Sequence, residues 1–254
     1  MPETTSATAS QPEPSRRGFA RTLGWVQQGS ALFHKRLEDA GEAAAEGPSL
    51  LPDWTRAHVL THLARNADAL VNLLTWARTG VETPMYPNPE SRLDDIERGA
   101  RRPAAEILDD FRTADARLLA AVDALPAGAW DTTVRSALGR SIPASEVPWM
   151  RTREIWVHLV DLGAGDDTDA FPDDLTDALL AEVSAAVGGK EGCPALLLRP
   201  SDREGAEYRM GPAAAEPEAV TAPAAGLCAW VLGRDTGAAR AARSGIRAVL
   251  PRWL

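Results

Sequence analysis

The chain has 254 residues, 44% hydrophobic and 25% charged, with a formal net charge of -9. That length gives ample core for one large domain or two modest ones, and the composition is that of an ordinary globular protein. The acidic balance argues against a nucleic-acid partner, and no apolar run approaches the length that spans a membrane. Cys193 and Cys228 are the only cysteines and form no CxxC pair, which excludes a thiolate metal knuckle. Together with the lack of a signal-peptide pattern, they read as reduced thiols in the cytoplasm.

Residues 1–14 (MPETTSATASQPEP) have the small, polar, proline-bearing composition of a disordered tail. From about Arg16 to Ala40, Phe19, Leu23, Val26, Phe33 and Leu37 recur at helical spacing. After a break at Gly47-Pro48, Asp53 is placed to cap a long helix ending at Thr79-Gly80, with Val59, Leu60, Leu63, Leu70, Leu73 and Leu74 as its apolar stripe. A proline-rich connection leads to a short helix from Pro89 and a longer one from about Pro103 to Leu125. The stretch 130–143 is a loop or brief hairpin, and Pro148 opens a helix that Gly163 closes. Four main helices with one long connection predict an up-and-down bundle over 15–165.

After Gly165 the pattern changes. Asp173 to Val187 is one amphipathic helix, then 194–199, 206–210 and 219–221 are strand-length runs bounded by Gly, Pro and Asp. A last helix covers Pro223 to Leu232. Residues 166–254 therefore read as a small α+β domain, and the whole chain as α+β.

Three of the four histidines fall where chemistry can use them. Glu154 and His158 stand four apart on one helix face, and His58 and His62 repeat that spacing on the other long helix. Inward-facing His and Glu on facing helices are a common way to build a metal site in a bundle. An i,i+4 Glu–His pair is more often a surface ion pair, but Ile155, Trp156, Val157, Leu159 and Val160 make this segment apolar nearly all round. A carboxylate buried there needs a partner, and a metal supplies one. Asn66, Leu70 and Leu73 share the His62 face, whereas His58 stands at the helix start beside Arg56. His62, Glu154 and His158 are thus the expected ligands of one divalent metal, zinc or iron, with a position left open. His34 reads as a satisfied core or surface histidine. A fourth protein ligand, from His58 or Asp161, would instead make the metal structural and the protein a non-catalytic regulator.

The segments WTRAHVLTHLARNADALVNLLTWARTGVETPMY (54–86), RSIPASEVPWMRTREIWVHLVDLG (140–163) and the terminal PRWL resemble mycothiol-dependent maleylpyruvate isomerase. The resemblance implies an N-terminal DinB-like four-helix bundle with a small C-terminal α/β domain, and puts zinc on the same three residues. It further implies substrate-pocket arginines at Arg92 and Arg234, the second in competition with Arg240, Arg243 and Arg247. The activity implied is cis–trans isomerisation of maleylpyruvate to fumarylpyruvate in gentisate degradation. Mycothiol would add to the double bond as its thiolate, allow rotation about the resulting single bond, and leave. The expected partners are therefore a small anionic substrate and a low-molecular-weight thiol, on a monomer or weak homo-oligomer. A mycothiol S-transferase acting on another electrophile is the nearest rival on the same scaffold.

Overall fold

The computed structural model describes residues 18–253, so the expected disordered tail lies outside it. The N-terminal part is built from α1 (Phe19–Ala40), α2 (Arg56–Thr79), α3 (Pro89–Gly99), α4 (Ala104–Asp123) and α5 (Val147–Asp161). Between α4 and α5 the chain forms the antiparallel hairpin of β1 (Thr133–Arg135) and β2 (Ser141–Pro143), with Val134 opposite Ile142.

Helix α2 is the centre of this part and packs against both α4 and α5, while α1 lies on α5. Its predicted stripe is the core: Val59, Leu60, Leu63, Leu70 and Leu73 are fully buried against Phe33, Leu37 and Phe111 from neighbouring helices. The cap differs from the expectation at Asp53, which sits in a turn with φ of 64°. Thr55 caps α2 instead: its hydroxyl accepts from the His58 amide, and His58 Nδ1 accepts from the Thr55 amide. Between them the Thr55 and His58 side chains satisfy both free amides, which outcompetes a cap from a residue held in a left-handed turn.

Two glycines decide how closely the helices approach. A Cβ on Gly29 of α1 would stand 2.7 Å from both Ile155 and Trp156 of α5. One on Gly99 of α3 would stand 2.3 Å from Thr61 of α2. Their lack of a side chain lets α1 and α3 close onto α5 and α2, the helices that carry the candidate ligands. At the first contact Trp156 Nε1 donates to the Trp25 carbonyl at 2.9 Å, a bond that an added methyl would disturb.

The C-terminal part begins with α6 (Asp173–Gly188), followed by β3 (Leu196–Pro200), β4 (Tyr208–Met210), β5 (Glu218–Ala222), α7 (Ala224–Val231) and α8 (Gly237–Ala242). The sheet order is β4-β3-β5, with β3 antiparallel to β4 and parallel to β5. Helices α6, α7 and α8 pack on it and on one another. The fold is therefore a helical bundle joined to a small α/β region. Helix α6 holds the two together: Trp149 Nε1 and Arg153 Nη1 of α5 donate to the two Glu182 oxygens, each at 2.7 Å. Among the described residues no helix is long and apolar enough to cross a membrane.

Candidate metal centre

Helices α2 and α5 bring His62, Glu154 and His158 together, and one donor atom from each lies within 4.8 Å of the others. His62 Nε2 is 2.9 Å from Glu154 Oε2, and His158 Nε2 is 3.3 Å from the same oxygen. The two imidazole rings meet edge to face with centroids 4.8 Å apart. Donors sharing one tetrahedral ion at zinc distances stand about 3.3 Å apart, so the donor set and its spacing fit zinc. No fourth ligand joins the cluster among the described residues. His58 caps α2 and faces Glu97 at 3.6 Å, and Asp161 binds the far nitrogen of His158.

The electrostatics tie the three residues into one unit. Burial opposes ionisation of Glu154, yet hydrogen bonds from His158 and His62 outweigh it and hold the carboxyl well below the usual range. His158 is opposed by burial too, but its contacts to Asp161 and Glu154 push it up to about 9. His62 goes the other way, lowered chiefly by burial despite the Glu154 contact. Arg92 Nη2 lies 3.2 Å from His62 Nδ1. That contact assigns the His62 proton to Nε2, from which it points at Glu154.

Below the site runs a buried polar network. Arg151, one turn before Glu154 and 1% exposed, donates to Asp115 at 2.7 Å, Asn66 Oδ1 at 3.0 Å and the Leu63 carbonyl at 2.9 Å. Asp115 also receives Ser30 and His34. His34 thus belongs to this support and not to the metal cluster, as its isolation in the sequence suggests.

Two members of the cluster, His62 and Glu154, line a cavity of about 1080 Å³. Arg92 and Tyr86 line it, with the guanidinium 5.7 Å above the Tyr86 ring. So do Arg135 and Arg140 of the hairpin, Arg153, Lys190 and Trp253. Arg153 sits 5.8 Å above the Trp253 ring, and Lys190 donates to the Arg252 and Trp253 carbonyls, which seats Trp253 in the wall. Spacing in the sequence did not single out the hairpin arginines, Lys190 or Trp253. The turn residues of RSALGR, with Gly139 at φ of 76°, were the available signal for the hairpin.

Arg234 stands elsewhere. It does not line the cavity, and its Nε and Nη2 hold Asp161 at 2.9 and 2.6 Å. Arg240 and Arg243 are engaged with Asp235, and neither they nor Arg247 line the cavity.

A family model described as the mycothiol maleylpyruvate isomerase N-terminal domain matches residues 26–163. A crystal structure of the mycothiol-dependent maleylpyruvate isomerase is 33% identical with a TM-score of 0.79, covering 89% of this chain and 94% of that one. A histidine-to-alanine mutant of the mycothiol-dependent maleylpyruvate isomerase is also 33% identical, with a TM-score of 0.78 and coverages of 88% and 92%. No curated protein matches. The family model spans more than half of the chain and the solved structures nearly all of it, so the chain belongs to the mycothiol maleylpyruvate isomerase family.

Proposed function

We propose that the protein is a mycothiol-dependent maleylpyruvate isomerase, with zinc held by His62, Glu154 and His158 and the substrate carboxylate met by Arg92. The observation that carries this reading is the convergence of two imidazoles and one carboxylate, of which His62 and Glu154 reach the wall of a cavity that Arg92 also lines. When bound, zinc supplies a Lewis-acid position that keeps the thiol of mycothiol deprotonated at neutral pH.

The remaining parts are the chain's own. A cis double bond rotates only after it has become single, and the charge that develops on the substrate then needs a fixed cation. Arg92 is that cation, delocalised and charged at every relevant pH. Its contact with His62 Nδ1 supports the same role. Were His62 to hold the metal through Nε2, its proton would sit on Nδ1 facing Arg92, and the guanidinium would be left to pair with a substrate carboxylate. Tyr86, whose phenol is pushed up by burial, stays protonated as a hydrogen-bond donor beside it. The cavity is at the upper end of the range for drug-sized ligands, which suits a bulky thiol together with a small acid.

The test is to load purified protein with zinc, add mycothiol and maleylpyruvate, and follow fumarylpyruvate. Turnover in the wild type, with loss of both zinc and turnover in His62→Ala, is the expected outcome. Zinc-loaded protein that leaves maleylpyruvate unchanged but conjugates another electrophile would replace the isomerase with a transferase.

A further inference from the structure

We propose that Arg234 is a positioning residue for His158, acting through Asp161, so that the C-terminal α/β region sets the metal affinity of a centre borne by the bundle. This rests on reading His62, Glu154 and His158 as a metal centre.

Asp161 is a carboxylate at 1% exposure, so the direction of its oxygens is fixed by what it binds. Oδ2 meets His158 Nδ1 at 2.8 Å and Arg234 Nη2 at 2.6 Å, while Oδ1 takes Arg234 Nε at 2.9 Å. The guanidinium fork thereby sets the plane of the carboxylate, and the carboxylate sets the rotation of the imidazole. A proton held on Nδ1 leaves the lone pair of Nε2 aimed at the Glu154 side of the cluster. Such a carboxylate–histidine pairing raises the basicity and fixes the ring of a ligating histidine. His62 lacks it, because its Nδ1 faces Arg92, which is a donor. His158 is therefore the pre-oriented ligand of the pair.

Arg234 is itself held. Its Nη1 donates to the Leu232 carbonyl at 2.7 Å, and its amide donates to the Ala229 carbonyl at 2.9 Å. It hangs from the end of α7 through the turn at Gly233, whose φ is 74°. Every residue of α7 except Ala225 is buried, so the anchor is rigid. Each guanidinium nitrogen has a protein partner, and turning the group toward the cavity would mean breaking a two-point ion pair. A pure adhesive role has a control nearby: Arg36 grips Asp166 with the same fork, at 2.7 to 2.9 Å, without touching the cluster.

The experiment measures zinc affinity of the full chain by competition with a chromophoric chelator, and the visible absorption of the cobalt-loaded protein. Asp161→Asn should weaken zinc by about 10- to 100-fold, and Arg234→Ala by about tenfold, both with an altered cobalt spectrum. Arg234→Lys should recover part of the loss, since one point contact replaces the fork. Arg36→Ala should leave both readings unchanged. Equal zinc affinity and cobalt spectra in wild type and Arg234→Ala would overturn the proposal, as would an equal loss in Arg36→Ala. Wild-type protein that binds neither ion would instead overturn the metal-centre reading itself.

Discussion

Replacing Arg151 with methionine isolates the contribution of the buried network under the site. The substitution keeps an unbranched stem in place and removes only the charged head. Asp115, fully buried, then keeps Ser30 at 3.3 Å and His34 at 3.0 Å but loses its 2.7 Å guanidinium partner. Orphaning one side of a buried ion pair costs about 3–5 kcal/mol. The Leu63 carbonyl and Asn66 Oδ1 lose donors as well, and since these losses share one site they push toward the top of that range without adding to it. A loss of about 4 kcal/mol is a large share of the 5–15 kcal/mol that typical domains hold. With a urea m-value of about 3 kcal/mol/M, the midpoint should fall by about 1.3 M. Adding Asp115→Leu should restore at least half of this, because an apolar pair leaves no charge stranded. A midpoint shift below about 0.3 M in Arg151→Met would refute the reasoning. It would mean that water or rearrangement satisfies Asp115 when the arginine is gone.

The same carboxylate predicts an acid response. Burial opposes ionisation of Asp115, but hydrogen bonds from His34, Arg151 and Ser30 lower it from 3.8 to about 2. A lowered pKa gives stability that is complete above 3.8 and lost as pH falls through about 2. Urea titrations should therefore show wild type losing about 2 kcal/mol more than Asp115→Asn between these pH values; parallel curves would assign acid sensitivity to other groups. On α1, two glycine-to-alanine changes should have opposite signs. Gly29→Ala drives a methyl into Ile155 and Trp156 and should cost about 1–3 kcal/mol. Gly24→Ala meets nothing within 4 Å and should gain about 0.5–1 kcal/mol. Thermal unfolding that lowers or raises both together would sink the packing argument.

The helices were legible because burial imposes a 3.6-residue period on the sequence. The stripe from Val59 to Leu74 is the centre of the core, and Gly80 closes α2 with φ of 72°. The three C-terminal strands were also visible as strand-length runs between Gly, Pro and Asp. Their pairing was not, since parallel β3–β5 contact joins segments separated by β4 and two loops. Helix α8 left no apolar period to read, being six residues of GAARAA. The N-cap moved from Asp53 to Thr55 because that choice depends on backbone dihedrals that composition does not encode.

At the site, the boundary between legible and hidden follows distance along the chain. Glu154 and His158 share a helix face by spacing alone, and His62 is preferred over His58 because Asn66, Leu70 and Leu73 lie along its face while His58 stands at the helix start. What orients those side chains comes from far off: Asp115 reaches Arg151 across 36 residues, and Arg234 reaches Asp161 across 73. Helical periodicity says which way a residue points from its own helix. It is silent on which side chain of another element will face it. An arginine read only by type looks like a substrate clamp wherever it lies near a predicted pocket. In the fold, Arg92 lines the cavity, while Arg234 has its guanidinium committed to a buried carboxylate. The same charge thus serves two different ends. One arginine lines a cavity, and the other grips a buried carboxylate at two points.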